Sequence, residues 1–229
     1  MSVTHSSNQH RTPESREGFL KITEIFYSLQ GEARDAGRPT VFIRLTGCPL
    51  RCVYCDSEYA FYGGEWKMID QILEQVASYR TPYVCVTGGE PLAQKRCKEL
   101  LNQLLEAGYR VSLETSGAMD VSHLDERISR VLDIKTPGSG EAGRNLWSNL
   151  DILTAHDQVK FVLCSREDYE WAVAEIRARA LDEKLDILLS PAWGQVNATE
   201  LAEWVLNDHL NVRVQLQLHK LLWGDEPGK

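Results

Sequence analysis

Three cysteines stand close together in Gly47-Cys48-Pro49-Leu50-Arg51-Cys52-Val53-Tyr54-Cys55-Asp56, at the spacing C-x3-C-x2-C. Thiolates on one loop can hold three corners of a [4Fe–4S] cube and leave one iron without a protein ligand. That iron can chelate the amino and carboxylate groups of a methionine moiety. An electron passed into the sulfonium then breaks a carbon–sulfur bond, while the protein positions and shields the cofactor. The plainer alternative is zinc, which normally takes four ligands, commonly with C-x2-C pairs. The closest histidine beyond the N-terminal segment is His123, so the pattern favours a cluster on Cys48, Cys52 and Cys55.

A second motif, Thr87-Gly88-Gly89-Glu90-Pro91, follows the apolar run Tyr83–Val86. Glycines let backbone approach a ligand closely and adopt positive φ, and a neighbouring Glu can accept bonds from an ammonium group. Alone it is a plausible turn; after the strand that follows the cysteine loop it points to ligand binding. Arg44 projects from the end of an otherwise apolar run. A guanidinium there suits bidentate capture of a carboxylate, with an internal salt bridge as the ordinary alternative. Cys85, Cys97 and Cys164 read as small buried hydrophobes.

The elements that must hold these groups are short apolar runs. Strands are expected at Leu20–Tyr27, Thr40–Thr46, Tyr83–Thr87, Arg110–Glu114, Val131–Ile134, Val159–Leu163, Asp186–Ser190 and Val212–Leu216. Helical spacing joins Ile69, Ile72, Leu73 and Val76, and again Cys97, Leu100, Leu101, Leu104 and Leu105, with Gly108 placed as a C-cap. Further helices are expected over Asp168–Ala180 and Thr199–Asn207. Alternation of this kind implies βαβ units, an α/β class and a mainly parallel sheet. The chain is shorter than the roughly 250 residues of a complete eight-fold barrel, so the expected architecture is a partial or modified TIM-like (β/α) barrel with some crossover helices shortened or missing. In such folds the chemistry lies where the carboxyl ends of strands open into loops, and both motifs lie there.

The 229 residues suffice for one sizeable domain, taken as 19–229 behind a polar, disordered N-terminal tail at 1–18. A net charge of −8 argues against a broad nucleic-acid or membrane-surface patch. No apolar run reaches the roughly 20 residues of a membrane span, and no secretory signal is visible. The six cysteines are therefore expected in a reducing cytoplasm, where clustered thiols bind metal more often than they form disulfides.

Together the cysteine loop and Gly-Gly-Glu-Pro resemble the radical S-adenosylmethionine superfamily. A narrower likeness runs through Phe26-Tyr27-Ser28-Leu29-Gln30-Gly31-Glu32, Phe42-Ile43-Arg44-Leu45-Thr46-Gly47-Cys48, Cys55-Asp56-Ser57, Glu114-Thr115-Ser116-Gly117 and Gln217-Leu218-His219-Lys220. This order resembles the 7-carboxy-7-deazaguanine synthase family of lyases in deazapurine and queuosine biosynthesis. The resemblance implies a radical SAM core in which a 5′-deoxyadenosyl radical takes a hydrogen from C6 of 6-carboxy-5,6,7,8-tetrahydropterin. The ring then contracts and ammonia leaves. It also implies a regenerated S-adenosylmethionine, Mg²⁺ at the substrate carboxylate, a flavodoxin-type electron donor and a homodimer.

Carried onto this sequence, the likeness assigns Tyr54, Cys55, Asp56, Gly89, Glu90, Ser116, Asp133, Ile134 and Lys135 to S-adenosylmethionine. Many relatives have Ser-Pro-Lys at the last three, and Lys135 alone matches. Leu29, Gln30, Gly31, Arg44 and Thr87 are assigned to the pterin, Gln30 offering the donor and acceptor that suit its amide edge. Ser57 is the Mg²⁺ candidate in place of the family's usual Thr, keeping a hard oxygen ligand but losing the stiffening methyl. His219 and Lys220 either line the mouth of the site or hold the terminus in place. Two other readings stay open here, a small radical enzyme such as a glycyl-radical activase and a non-enzymatic zinc-binding module.

Overall fold

The computed structural model describes residues 18–229 except 225, 227 and 229; the expected tail, Gly18 apart, lies outside the described residues. In chain order the elements are β1 (Phe19–Leu29), β2 (Pro39–Leu45), β3 (Glu65–Met68), α1 (Ile69–Ser78), β4 (Tyr83–Gly88), α2 (Cys97–Glu106), β5 (Arg110–Thr115) and β6 (Ser129–Ile134). They continue as β7 (Gln158–Leu163), α3 (Arg166–Arg179), β8 (Asp186–Pro191), α4 (Ala198–Asn207), β9 (Arg213–Val214) and α5 (Leu218–Trp223).

One nine-stranded sheet runs in the order β3-β1-β2-β4-β5-β6-β7-β8-β9. From β2 through β4 to β9 every neighbour is parallel, whereas β1 is antiparallel to both β2 and β3. The antiparallel turn explains the short link holding Gly31, Gly37 and Pro39, because a hairpin needs no crossover helix. The strand order leaves β3 and β9 as separate edges, so the sheet is an incompletely closed barrel. The β5–β6 link carries no helix; its buried Val121, Leu124 and Ile128 fill the core instead.

The helices cover the sheet with the stripes their spacing dictates. α1 buries Ile69, Ile72 and Val76, and α2 buries Cys97, Leu100, Leu101 and Leu104. Gly108 ends α2 at φ +87, with its own amide on Leu105 O (2.9 Å) and the Tyr109 amide on Leu104 O (3.1 Å). That is the paired bond pattern of a Schellman C-cap, which needs the left-handed conformation glycine accepts. α3 starts earlier than its sequence spacing suggests because Ser165 caps it, accepting a bond from the Asp168 amide.

Two elements escape the sequence. β3 and α5 have no matching expectation, and the last strand shrinks from Val212–Leu216 to Arg213–Val214. β3 is a mostly exposed edge pairing only with β1, and α5 has no fully buried residue. Neither carries the periodic apolar signal that reveals an element. Among the described residues no helix is long and apolar enough to cross a membrane.

Candidate active site

A cavity of about 560 Å³ opens inside the curved sheet. Its upper wall is the cluster loop, which leaves the carboxyl end of β2; Cys48, Cys52 and Cys55 all line it. Two neighbours seat this loop. The Glu90 amide donates to Gly47 O at 2.8 Å, and the Val53 amide donates to Ser139 O at 3.1 Å. Gly89 must be bare for the first contact, since a Cβ there would lie 2.1 Å from Gly47 O.

The donor set suits an iron–sulfur cube. Three thiols share one wall, and among the described residues no His, Cys, Asp or Glu trio is gathered round a single-ion position. Burial pushes the Cys52 thiol up to about 11, against the pull of Lys135, and raises Cys48 and Cys55 as well. Ligation therefore has to displace protons, as metal binding to thiols generally does. Burial works against the Lys135 ammonium, but Asp133, Cys52 and the Asp133 hydrogen bond outweigh it, so its pKa is raised and it stays charged. It pairs with Asp133 at 2.9 Å and lies 5.6 Å from the centre of the Tyr54 ring.

S-adenosylmethionine also fits what is present. Tyr54 Oη, Asp133 Oδ1 and Ser190 Oγ are buried without a hydrogen-bond partner, on residues that line the cavity. Unpaired buried polar atoms cost about 1–3 kcal/mol each, and a ligand bearing hydroxyls and ring nitrogens can satisfy them. Gly89, Asp56 and Ser116 share the same lining.

Glu90 and Ile134 stand elsewhere. Glu90 is fully buried behind the wall, where its carboxylate accepts from Thr115 Oγ1 (2.9 Å), Ser116 N (2.7 Å), Ser116 Oγ (2.5 Å) and Leu92 N (2.9 Å). With its oxygens so taken, it shapes the turn that carries Ser116. Ile134 belongs to the hydrophobic core, because alternation along β6 turns it away from the side that Asp133 faces.

The expected pterin residues meet from two directions. Arg44 and Thr87 come from the carboxyl ends of β2 and β4. Leu29, Gln30 and Gly31 do not: Leu29 pairs with Pro39, the first residue of β2, so the antiparallel β1 delivers this segment to the opposite end of the sheet. The chain then crosses beneath the cavity, where the Arg34 amide donates to Gln158 Oε1 at 2.7 Å, and forms its floor. Ser57 also lines the cavity, its hydroxyl donating to Asp56 Oδ1 at 2.9 Å.

Several lining residues had no role in the sequence reading. Glu114 accepts from Thr87 Oγ1 at 3.1 Å and from Gln30 Nε2 at 3.4 Å, joining both groups of substrate candidates. Its sequence signal is the first position of Glu114-Thr115-Ser116-Gly117, a strand end that carries the family likeness. Glu32 and Lys160 form an ion pair on the floor. Burial raises the Glu32 pKa, yet the charge and bond of Lys160 and a bond from Gln217 bring it below its ordinary value.

The Gln217 amide nitrogen reaches both Glu32 Oε1 (2.8 Å) and Asp56 Oδ2 (3.1 Å), tying floor to cluster loop. His219 and Lys220 line the same cavity, and burial foremost lowers the His219 pKa, favouring the neutral imidazole. The site thus carries charges of both signs within a lining that is about half apolar, and it is enclosed by backbone from both ends of the sheet.

Comparison with known proteins gives a consistent picture. A family model described as the Radical SAM superfamily matches residues 42–189. A protein of Koribacter versatilis named 7-carboxy-7-deazaguanine synthase is 41% identical, over 90% of this chain and 98% of its own length. One of the same name from Methanospirillum hungatei is 39% identical, over 96% of this chain and 92% of its own. Among solved structures, QueE from Escherichia coli superposes with a TM-score of 0.69 at 24% identity, covering 92% of this chain and 100% of that one. SuiB from Streptococcus suis, bound to S-adenosylmethionine, gives 0.53 at 15% identity over 75% of this chain and 48% of that one. At such identities the structural likeness speaks for the fold alone.

Proposed function

The chain belongs to the 7-carboxy-7-deazaguanine synthase family of the radical S-adenosylmethionine superfamily, and from that premise we propose that it converts 6-carboxy-5,6,7,8-tetrahydropterin to 7-carboxy-7-deazaguanine with loss of ammonia. The observation that carries this is the sharing of one cavity by three thiols on one side and by Arg44, Thr87 and Glu114 on the other. A [4Fe–4S] cluster held by Cys48, Cys52 and Cys55 would supply the electron that turns S-adenosylmethionine into a hydrogen-abstracting radical.

The protein's own groups bind, orient and exclude water. Arg44 takes the substrate carboxylate through its fork of donors. Glu114, already an acceptor from Gln30 and Thr87, offers a carboxylate to the N–H edge of the pterin. The floor segment Leu29–Gly31 closes the cavity from below. The hydroxyl of Ser57 beside the Asp56 carboxylate gives Mg²⁺ two hard oxygens next to the substrate carboxylate. Tyr54, Asp133 and Lys135 face S-adenosylmethionine.

A flavodoxin-type donor supplies electrons, the active form is a homodimer, and the cytoplasm keeps the thiols reduced. The test is anaerobic incubation of reconstituted enzyme with S-adenosylmethionine, reductant and the carboxy-tetrahydropterin, with and without Mg²⁺. The deazapurine is the expected product, made faster with Mg²⁺. Bound zinc without sulfide in oxygen-free preparations, or cleavage of S-adenosylmethionine with no deazapurine, would refute the assignment.

A further inference from the structure

β1 carries one residue too many where it pairs with β2. Ile22 opposes Leu45, yet Glu24 opposes Arg44, with the register shift falling between them. In an unbroken ladder Thr23 would face Arg44 and Glu24 would face Ile43. A bulge of this kind re-aims a side chain, and here it sets Glu24 directly beside Arg44. Thr23 is held in turn by a 2.8 Å bond to Thr46 Oγ1, an oxygen that lies 2.1 Å from where a Cβ on Gly64 would stand.

Glu24 Oε1 accepts from Arg44 Nε at 2.7 Å and from the Tyr59 hydroxyl at 2.8 Å. The guanidinium also lies 5.7 Å from the centre of the Tyr59 ring, and Arg44 Nη1 donates to Gly88 O at 3.3 Å. The guanidinium is therefore fixed on three sides, while Nη2 of this cavity-lining residue makes no hydrogen bond among the described residues. Tyr59 lies in the short turn Glu58–Ala60, which Ser57 opens.

We propose that Glu24 and Tyr59 are positioning residues that aim Arg44 at the carboxylate on C6 of the pterin and couple that arginine to the turn carrying Ser57. The proposal rests on Arg44 being the carboxylate-binding group. A free arginine side chain loses much rotamer freedom on binding; one already clamped between a carboxylate, a phenol and a carbonyl loses little. A glutamate facing the substrate with no arginine would also repel it, so the bulge serves the site only as a pair.

The experiment is a fluorescence titration of cluster-loaded enzyme with 6-carboxypterin and with pterin lacking the substituent, for the wild type, Glu24→Gln and Tyr59→Phe. The wild type should prefer the carboxylated ligand. Glu24→Gln should weaken it about tenfold, the scale of a lost charged hydrogen bond, and Tyr59→Phe severalfold. Both should leave unsubstituted pterin, iron content and S-adenosylmethionine binding as they were, and should raise KM for the substrate more than they lower kcat.

Equal weakening of both pterins would mark a merely structural role, and unchanged binding of both would remove the role altogether; either overturns the proposal. A wild type that binds both pterins alike would instead overturn Arg44 as the carboxylate group, and the proposal with it. Tyr59→Phe keeps the test decisive if Glu24→Gln folds poorly, because it removes one hydroxyl from a residue already 58% exposed.

Discussion

The imidazole of His219 lies against the bare α-carbon of Gly31, so close that a Cβ there would stand 2.1 Å from Nδ1. The Leu218 amide donates to Gly31 O at 3.0 Å and locks the contact. Floor and C-terminal segment thus fit only if residue 31 has no side chain. Gly31→Ala should fold, since the helix α5 that bears His219 has no fully buried residue, but it must push the ring out of place. A shift of about 1 Å can cost on the order of a hundredfold in rate, and kcat/KM should fall by that order. His219→Ala added to Gly31→Ala should do little further harm if the clash is the cause; a fully multiplicative loss would refute it.

Gly89→Ala tests the seat of the cluster loop. The new Cβ would lie 2.1 Å from Gly47 O and 3.0 Å from Cys48 Cβ, and backbone cannot yield as a flexible side chain can. Iron and sulfide per chain after anaerobic reconstitution should fall well below the wild type. Gly143→Ala, where a Cβ meets nothing within 4 Å and φ is not positive, should retain its cluster. Full cluster content in Gly89→Ala would show that the loop adapts.

The floor pair Glu32–Lys160 makes stability depend on acid. Its side chains are 11% and 14% exposed, so breaking one partner strands a buried charge at a cost of about 3–5 kcal/mol. Lys160→Met should show this in urea unfolding at pH 7, and Glu32→Gln with Lys160→Met should recover much of it. Glu32 is depressed below its ordinary 4.5 in the fold. Its contribution is therefore fully present above about pH 4.5 and is lost as pH falls through the lower folded value. Unfolding free energy measured from pH 6 down to 3 should decline less steeply in the double variant.

A second buried pair should matter for stability alone. Arg130 grips Asp157 through Nε (2.8 Å) and Nη2 (2.6 Å), at 5% and 0% side-chain exposure. Arg130 lies at the start of β6 and Asp157 immediately before β7, away from the carboxyl end of β6 where Asp133 and Lys135 stand. Asp157→Ala should lower stability by about 3–5 kcal/mol, while turnover per cluster-loaded chain at low temperature stays near the wild-type value. A loss of turnover with stability intact would contradict that division.

How far the sequence reached varies with how local each cause is. The cysteine loop, the two glycines before Glu90 and the helical stripes of α1 and α2 are written in consecutive residues, so spacing alone exposes them. The family likeness points to Glu90 and Ile134 by their place in the chain alone. Burial and strand alternation put one behind the wall and the other in the core.

Glu114, Lys160 and Gln217 have no role legible in the sequence because each gains one only through partners far away along the chain. Gln217, for instance, bonds Glu32 and Asp56 across |i−j| of 185 and 161. The floor shows the same limit. Hydrophobic pattern places β1 but cannot tell that it runs antiparallel, so the end of the sheet that Leu29–Gly31 reaches is not legible in the sequence.

By itself, then, the sequence determined the ligand chemistry, the alternation that makes an α/β sheet, and the glycines that backbone contacts demand, since these depend on residue type and near neighbours. Tertiary structure decided which carboxylates face the cavity, which end of the sheet each motif reaches, and the bulge that turns Glu24 towards Arg44. Those follow from strand direction and register, where a slip of one residue moves a side chain to the other face, and only the assembled sheet fixes them.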